Sequence, residues 1–137
     1  MRNINVRDVV PDDAQKFIEY EMGTAGNLFD PKSELYKSAF TLCAENEQGP
    51  VVFMPVQVTF TLESLGIAPD ADKRDVALSL RKIINEVVAR AKGTNVVQEL
   101  YCVCSDESTK TFMKHHQFEE LPYTLYRLKV KDYQAKS

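Results

Sequence analysis

The sequence predicts a single domain of the mixed α/β class, and three observations carry that expectation. Extended runs rich in alternating or β-branched residues (INVRDVV, AFTLCAEN, VVFMPVQVTFTLESLGI, ELYCVCS, YTLYRLKV) are separated by stretches with helical spacing. The chain has 137 residues, enough for one sizeable core and too few to expect two. Aliphatic and aromatic residues make up 44% and charged residues 27%, the balance of a packed globular chain.

Taken in order, INVRDVV alternates Ile4 and Val6 with polar neighbours as a first strand, and Asp12 or Asp13 can cap the helix AQKFIEYEM, which stops near Gly23. The stretch 23–32 reads as a loop and AFTLCAEN as a second strand. NEQGP reads as a turn, because Gly49 and Pro50 cannot continue a paired strand. Residues 51–67 hold either two strands joined near Pro55, the preferred division, or one long bent strand. Val76, Leu80, Ile83, Ile84, Val87, Val88 and Ala91 then repeat at helical spacing, predicting a helix over residues 75–92 that Gly93 ends.

ELYCVCS is almost continuously apolar, as a strand covered on both faces would be, and so belongs in the middle of the sheet. Its direction is expected to be parallel to the strand ending near Ile67, with the long helix crossing between them. A short helix, ESTKTFMKHH, and a closing strand, YTLYRLKV, follow. The predicted order is β-α-β-β-β-α-β-α-β, with residues 1–131 as the domain and 132–137 as a polar tail.

Charge and hydropathy narrow the function. A net charge of −3 with no strong basic cluster argues against nucleic acid as a partner. No apolar run approaches the length of a membrane span, and the start MRNINVRDVVPDD lacks a signal-peptide core, so a cytoplasmic chain without membrane association is expected. Three cysteines (Cys43, Cys102, Cys104) cannot pair completely and read as reduced thiols in strands. Cys102 and Cys104 with His115 and His116 fit no standard zinc spacing, and no metal is expected.

Several strings resemble the GNAT superfamily of acyl-CoA-dependent N-acyltransferases. VRDVVPDD is similar to its opening strand and helix cap, AENEQGPVV to its second hairpin, and ESLGIAP to the end of its fourth strand. SDESTKTFMKHHQFEE is similar to its closing pattern of Asn, Ala, an apolar-Tyr pair and Gly-Phe, with Asp106, Thr109, Phe112, Met113, Gln117 and Phe118 at those positions.

The resemblance implies a sheet whose fourth and fifth strands splay apart to admit the pantetheine arm of acetyl-CoA or another acyl-CoA. Leu65, Gly66 and Ile67 would supply the backbone that holds the arm. Glu63 would be the base that deprotonates an amine, on a small molecule or a protein; alternatively it simply points to solvent. Asp106, at the Asn position, would be a further cofactor contact. A homodimer is compatible with the resemblance.

The pyrophosphate loop implied by the family, Gln or Arg followed by small residues at a helix start, can be matched in two ways. Anchored on arginine, it comprises Arg74, Ala77 and Ser79, small residues with free backbone N–H groups. Anchored on the apolar stripe, Asp75 takes the arginine position and Leu78 and Leu80 the glycine positions, which closes the loop and repels phosphate. The stripe carries more weight, since a one-residue slip rotates a helix by about 100° and turns apolar residues out of the core. Asp70, Asp72 and Asp75 then read as an acidic helix start beside Lys73 and Arg74. Met113 stands where many relatives carry a tyrosine that protonates the departing thiolate, and a thioether donates no proton. Two functions follow: an acyl-CoA-dependent N-acyltransferase, or a GNAT-like binding or structural protein, such as a phage virion-type protein, without the cofactor loop.

Of the remaining candidates, Tyr123 and Tyr126 would fall on opposite faces of the closing strand. Phe17, Ile18 and Phe29 could line a substrate mouth or simply pack under a loop.

Overall fold

Alternation in the opening segment becomes strand β1 (Asn5–Asp8), which pairs antiparallel with β2 (Phe40–Asn46), itself paired antiparallel with β3 (Gly49–Val56). The structure, a computed structural model, describes residues 3–25 and 37–136; Phe29 lies outside the described residues. The chain divides into two units, Met1–Val103 and Cys104–Ser137, each described by itself.

In the first unit the register sets Arg7 opposite Cys43 and Cys43 opposite Phe53, so these three share one face of the sheet. Helix α1 (Ala14–Ala25) lies on that face. Phe17 meets the ring of Phe53 edge-on at 5.8 Å and Tyr20 tilts against it at 5.6 Å. Phe17 and Cys43 are the most deeply buried side chains described, at 2% and 0% exposure. The entry to α1 is fixed by polar chemistry. Asp13 accepts the Val10 N–H at 2.9 Å and a two-pronged pair of bonds from Arg7 at 2.7 and 3.0 Å, while Arg7 Nε donates to Glu45 at 3.0 Å.

The hairpin between β2 and β3 turns on Glu47 and Gln48, with Asn46 Oδ1 accepting the Gln48 N–H at 2.8 Å. Gly49, at φ +121°, occupies a conformation that side-chain-bearing residues rarely adopt. Contrary to expectation, Gly49 and Pro50 do not leave the strand: they pair with Asn46 and Glu45 beside a register shift. Pro55 also lies within β3, opposite Thr41, rather than at a joint. A proline is tolerated where a strand is an edge, and β3 has no second strand partner among the described residues. The break falls instead at residues 57–59, so the sequence does hold two strands here. They form no hairpin, because β4 (Phe60–Leu62) pairs elsewhere.

That partner is β5 (Leu100–Cys102), parallel to β4 as predicted and reached through helix α2 (Lys73–Thr94). The ladder runs from Phe60 opposite Leu100 to Leu62 opposite Cys102, and Val103 N–H adds one bond to Leu62 O at 3.2 Å. Residues 63–68 then carry no ladder. On α2, Ile84 and Ala91 are buried and Val76, Leu80, Val87 and Val88 half-buried, as the stripe predicts. Ile83 is 55% exposed, because it sits about 100° around the helix from Ile84. Gly93 does not end the helix. It continues to Thr94 and stops at Asn95, which takes the left-handed conformation at φ 61°. Thr94 Oγ1 then ties the exit, accepting the Val97 N–H at 3.1 Å and donating to Ala91 O at 2.7 Å. β5 is not in the middle of a sheet: β4 is its one strand partner among the described residues.

The second unit is built on α3 (Glu107–His115), capped by Asp106 and carrying the buried Met113. His116 and Phe118 N–H groups both return to Met113 O at 3.0 Å, with Gln117 at φ 72° between them. The expected closing strand is absent. Residues 124–129 make no strand, and Leu125 and Tyr126 are 78% and 88% exposed. Alternation supplies the propensity for a strand, but the ladder needs a partner, and none is engaged among the described residues. Among the described residues the order is therefore β-α-β-β-β-α-β-α, a mixed α/β arrangement without the expected last strand.

Candidate functional site

The candidate residues of the first unit lie on one continuous path from the end of β4 to the first turns of α2. Glu63 follows the last paired residue of β4, and Leu65, Gly66 and Ile67 come after it, all exposed. Their side chains are not packed, and their backbone is outside the ladder. A Cβ added at Gly66 would meet nothing within 4 Å, so no close approach of the chain itself explains the glycine.

The path turns at residues 68–71, where Ala71 N–H bonds Ala68 O at 3.2 Å, and enters α2 through Asp72. Asp72 is the N-cap: its carboxylate accepts the Arg74 N–H at 2.6 Å, and its carbonyl accepts the Val76 N–H at 3.0 Å. This decides what each proposed phosphate loop has to offer. With α2 beginning at Lys73, the N–H groups of Ala77 and Ser79 fall within the helical ladder, which corrects the expectation that they are free. The Arg74 N–H is already bonded to a carboxylate. In the alternative register, Leu78 is 51% exposed and Leu80 half-buried, and neither offers the room of a glycine.

Three exposed carboxylates, Asp70, Asp72 and Asp75, face two cations, Lys73 and Arg74, in this segment. The acyl-CoA pyrophosphate that the GNAT resemblance implies does not fit such a turn, which offers it no positive field and holds the Arg74, Ala77 and Ser79 N–H groups in other bonds. The unladdered backbone of residues 65–67 does fit the simpler requirement of the thioester arm, a run of strand with unused hydrogen-bonding groups.

Asp106 belongs to the second unit. Its carboxylate accepts the N–H and the hydroxyl of Thr109, both at 2.9 Å, and these bonds hold it below the ordinary aspartate range. It is the cap of α3, a role its place before ESTK makes readable from the sequence. Met113, at the tyrosine position, is buried at 5% exposure. His116 stacks on Phe112 at 3.9 Å, and its Nδ1 lies 2.8 Å from Phe112 O. Among the described residues no group of three or more His, Cys, Asp or Glu side chains could hold a metal ion, and no helix is long and apolar enough to cross a membrane.

One cluster was not singled out from the sequence. Glu99, just before β5, receives Gln57 Nε2 at 2.9 Å, Tyr101 Oη at 3.1 Å and Lys37 Nζ at 3.2 Å. Burial pushes its carboxyl up, and the hydrogen bonds from Gln57, Lys37 and Tyr101 outweigh that and hold it below the ordinary glutamate range. A charge opening the apolar run ELYCVCS was the available signal. The cluster ties the entrances of β4 and β5 together, at the opposite end of the pair from Glu63.

No family model matches the chain, and no curated protein matches it. Among solved structures it is similar to an integron cassette protein from the mobile metagenome of V. cholerae, at 14% identity and a TM-score of 0.40 over 92% of each chain. It is also similar to an aminoglycoside N-acetyltransferase in complex with CoA, at 14% identity and a TM-score of 0.39 over 95% of this chain and 97% of that one. Likenesses this remote carry no argument about activity.

Proposed function

We propose that the chain is an acyl-CoA-dependent N-acyltransferase of the GNAT type reduced to half of its donor site. The strand end would take the thioester arm, and the nucleotide end of the cofactor would go unheld. In this reading the backbone of Leu65, Gly66 and Ile67 positions the arm, and Glu63 takes the proton from an amine of unidentified structure. The supporting observation is the end of the β4–β5 ladder at Leu62, after which Glu63 and its neighbours are open to solvent.

Comparative titration tests this reading. If the nucleotide makes no useful contact, acetyl-CoA and acetyl-pantetheine should bind with dissociation constants within about twofold of each other, both near millimolar, since each lost charge-assisted bond is worth about 1.5–3 kcal/mol. Acetyl-CoA binding a hundredfold more tightly than acetyl-pantetheine would overturn it. A second reading, a GNAT-like binding or structural protein of the phage virion type, is favoured by the Asp72 cap on Arg74 and the buried Met113. It predicts that neither thioester binds and that Glu63→Gln changes no measurable property.

A further inference from the structure

Helix α2 carries six of the chain's 17 lysines and arginines but only two of its 20 carboxylates, so it is positive within a chain whose net charge is −3. The whole-chain charge, which argued against nucleic acid, averages this segregation away. At about 100° per residue the charges are also sorted around the helix axis. The arc of about 100° between Arg81 and Lys82 takes in Arg74, Leu78, Asn85 and Lys92, and no carboxylate of the helix falls inside it. Asp75 and Glu86 lie past its edge, and Glu86 accepts a bond from Arg90 at 3.2 Å on the far flank. Arg74 heads the arc beside the acidic turn, and the other three cations stand beyond it. All four are exposed, and none of their side chains has an ion-pair or hydrogen-bond partner among the described residues.

The spacing says what kind of anion fits. Arg74, Arg81 and Lys92 leave the helix within about 20° of one another, at steps of about 10 and 16 Å along the axis, too far apart to close on a single phosphate. They match an extended polyanion instead, and a nucleic-acid duplex presents a charge about every 1.7 Å of its axis. A protein partner fits less well, because specific interfaces centre on aromatic or large apolar anchors and this arc has one exposed large apolar side chain, Leu78. A bilayer fits less well too. A helix lying on a membrane needs its apolar face free, and on α2 that stripe is turned inward, with Ile84 and Ala91 buried. Single strands are held largely by stacking bases on aromatic rings, and α2 carries none. The carboxylates elsewhere on the chain are screened beyond about 8 Å at physiological salt.

We infer that the flank of α2 bearing Arg74, Arg81, Lys82 and Lys92 binds the phosphate backbone of a nucleic-acid duplex, without regard to base sequence. Four neutralised phosphates imply an affinity that falls about a hundredfold between roughly 50 and 200 mM salt. Fluorescence anisotropy of a labelled random-sequence DNA duplex, titrated with the intact chain, should show saturable micromolar binding at about 50 mM salt and that dependence. Arg81→Ala combined with Lys82→Ala should weaken binding at least about tenfold and lower the logarithmic salt slope by about two. Arg90→Ala, on the far flank, should leave both within about twofold of wild type. These positions are exposed, so the circular dichroism spectrum of each variant should match that of wild type. No saturable binding at about 50 mM salt would overturn the inference, as would an equal loss in Arg90→Ala. Tighter binding to a single strand, or to vesicles of phosphatidylserine and phosphatidylcholine, would also overturn it. So would polyglutamate that competes as well as unlabelled duplex at equal charge, since that would point to an acidic protein.

Discussion

The sheet under α1 and the turn leading into α2 belong to the same unit and are held in opposite ways. Under α1, Phe17, Cys43 and Phe53 interlock while Arg7 joins Asp13 and Glu45, so a residue lost there leaves a void or an unpaired charge. In the turn, every residue from 63 to 75 is exposed, and the contacts made there are local: one backbone turn and one helix cap. The contrast separates what specifies the fold from what a ligand would have to organise. The candidate site falls in the second region, where packing constrains the residues least.

Substitutions graded by their cost can break or sharpen that contrast. The largest effect is expected from Phe17→Ala, which empties the space against Phe53 and should lower the unfolding free energy by about 3–5 kcal/mol in a denaturant melt. Asp13→Ala comes next, at about 1–3 kcal/mol, because the Val10 N–H and the Arg7 guanidinium lose their acceptor. Asp72→Ala removes an exposed cap and should cost about 1 kcal/mol, measured in the same way. Leu78→Gln, on the solvent side of α2, should stay within about 0.5 kcal/mol of wild type. Equal losses for Phe17→Ala and Leu78→Gln would erase the distinction between the two regions.

Acid sharpens it further. Arg7, with help from the Val10 N–H, holds the Asp13 carboxyl at about 2 against an ordinary value of 3.8. The folded chain thus binds its proton more weakly than the unfolded one. This contribution is fully present above about pH 4 and is lost as pH falls through about 2. Denaturant midpoints measured across that window should fall more steeply for wild type than for Asp13→Asn, which has no carboxyl to protonate. Parallel slopes would mean that the Arg7 pair does not couple to folding.

Local pattern made much of this visible in the sequence. Ile84 and Ala91 are buried where the stripe places them, Asp13 sits at the helix entry, and β4 and β5 are parallel across α2. What escaped depends on partners distant in sequence or on backbone conformation. Alternation at residues 123–130 supplies a strand's propensity without its ladder, and Pro55 is harmless in β3 because β3 has no second strand partner among the described residues. Asn95, not Gly93, takes the left-handed position that stops α2. The site itself was only half legible. Residue types suggested two registers for the phosphate loop, and the start of α2 at Lys73 puts the N–H groups of Ala77, Leu78, Ser79 and Leu80 alike in the helical ladder.

The central claim, that the turn into α2 cannot hold a pyrophosphate, is tested most directly by the thermal midpoint of the intact protein with acetyl-CoA at about 1 mM. A competent site at a hundred times its dissociation constant would add about 2.7 kcal/mol and raise the midpoint by several degrees. The account predicts a shift below about one degree. A shift of several degrees that disappears in Arg74→Ala would contradict it and show that the arginine, not the Asp72 cap, governs this turn.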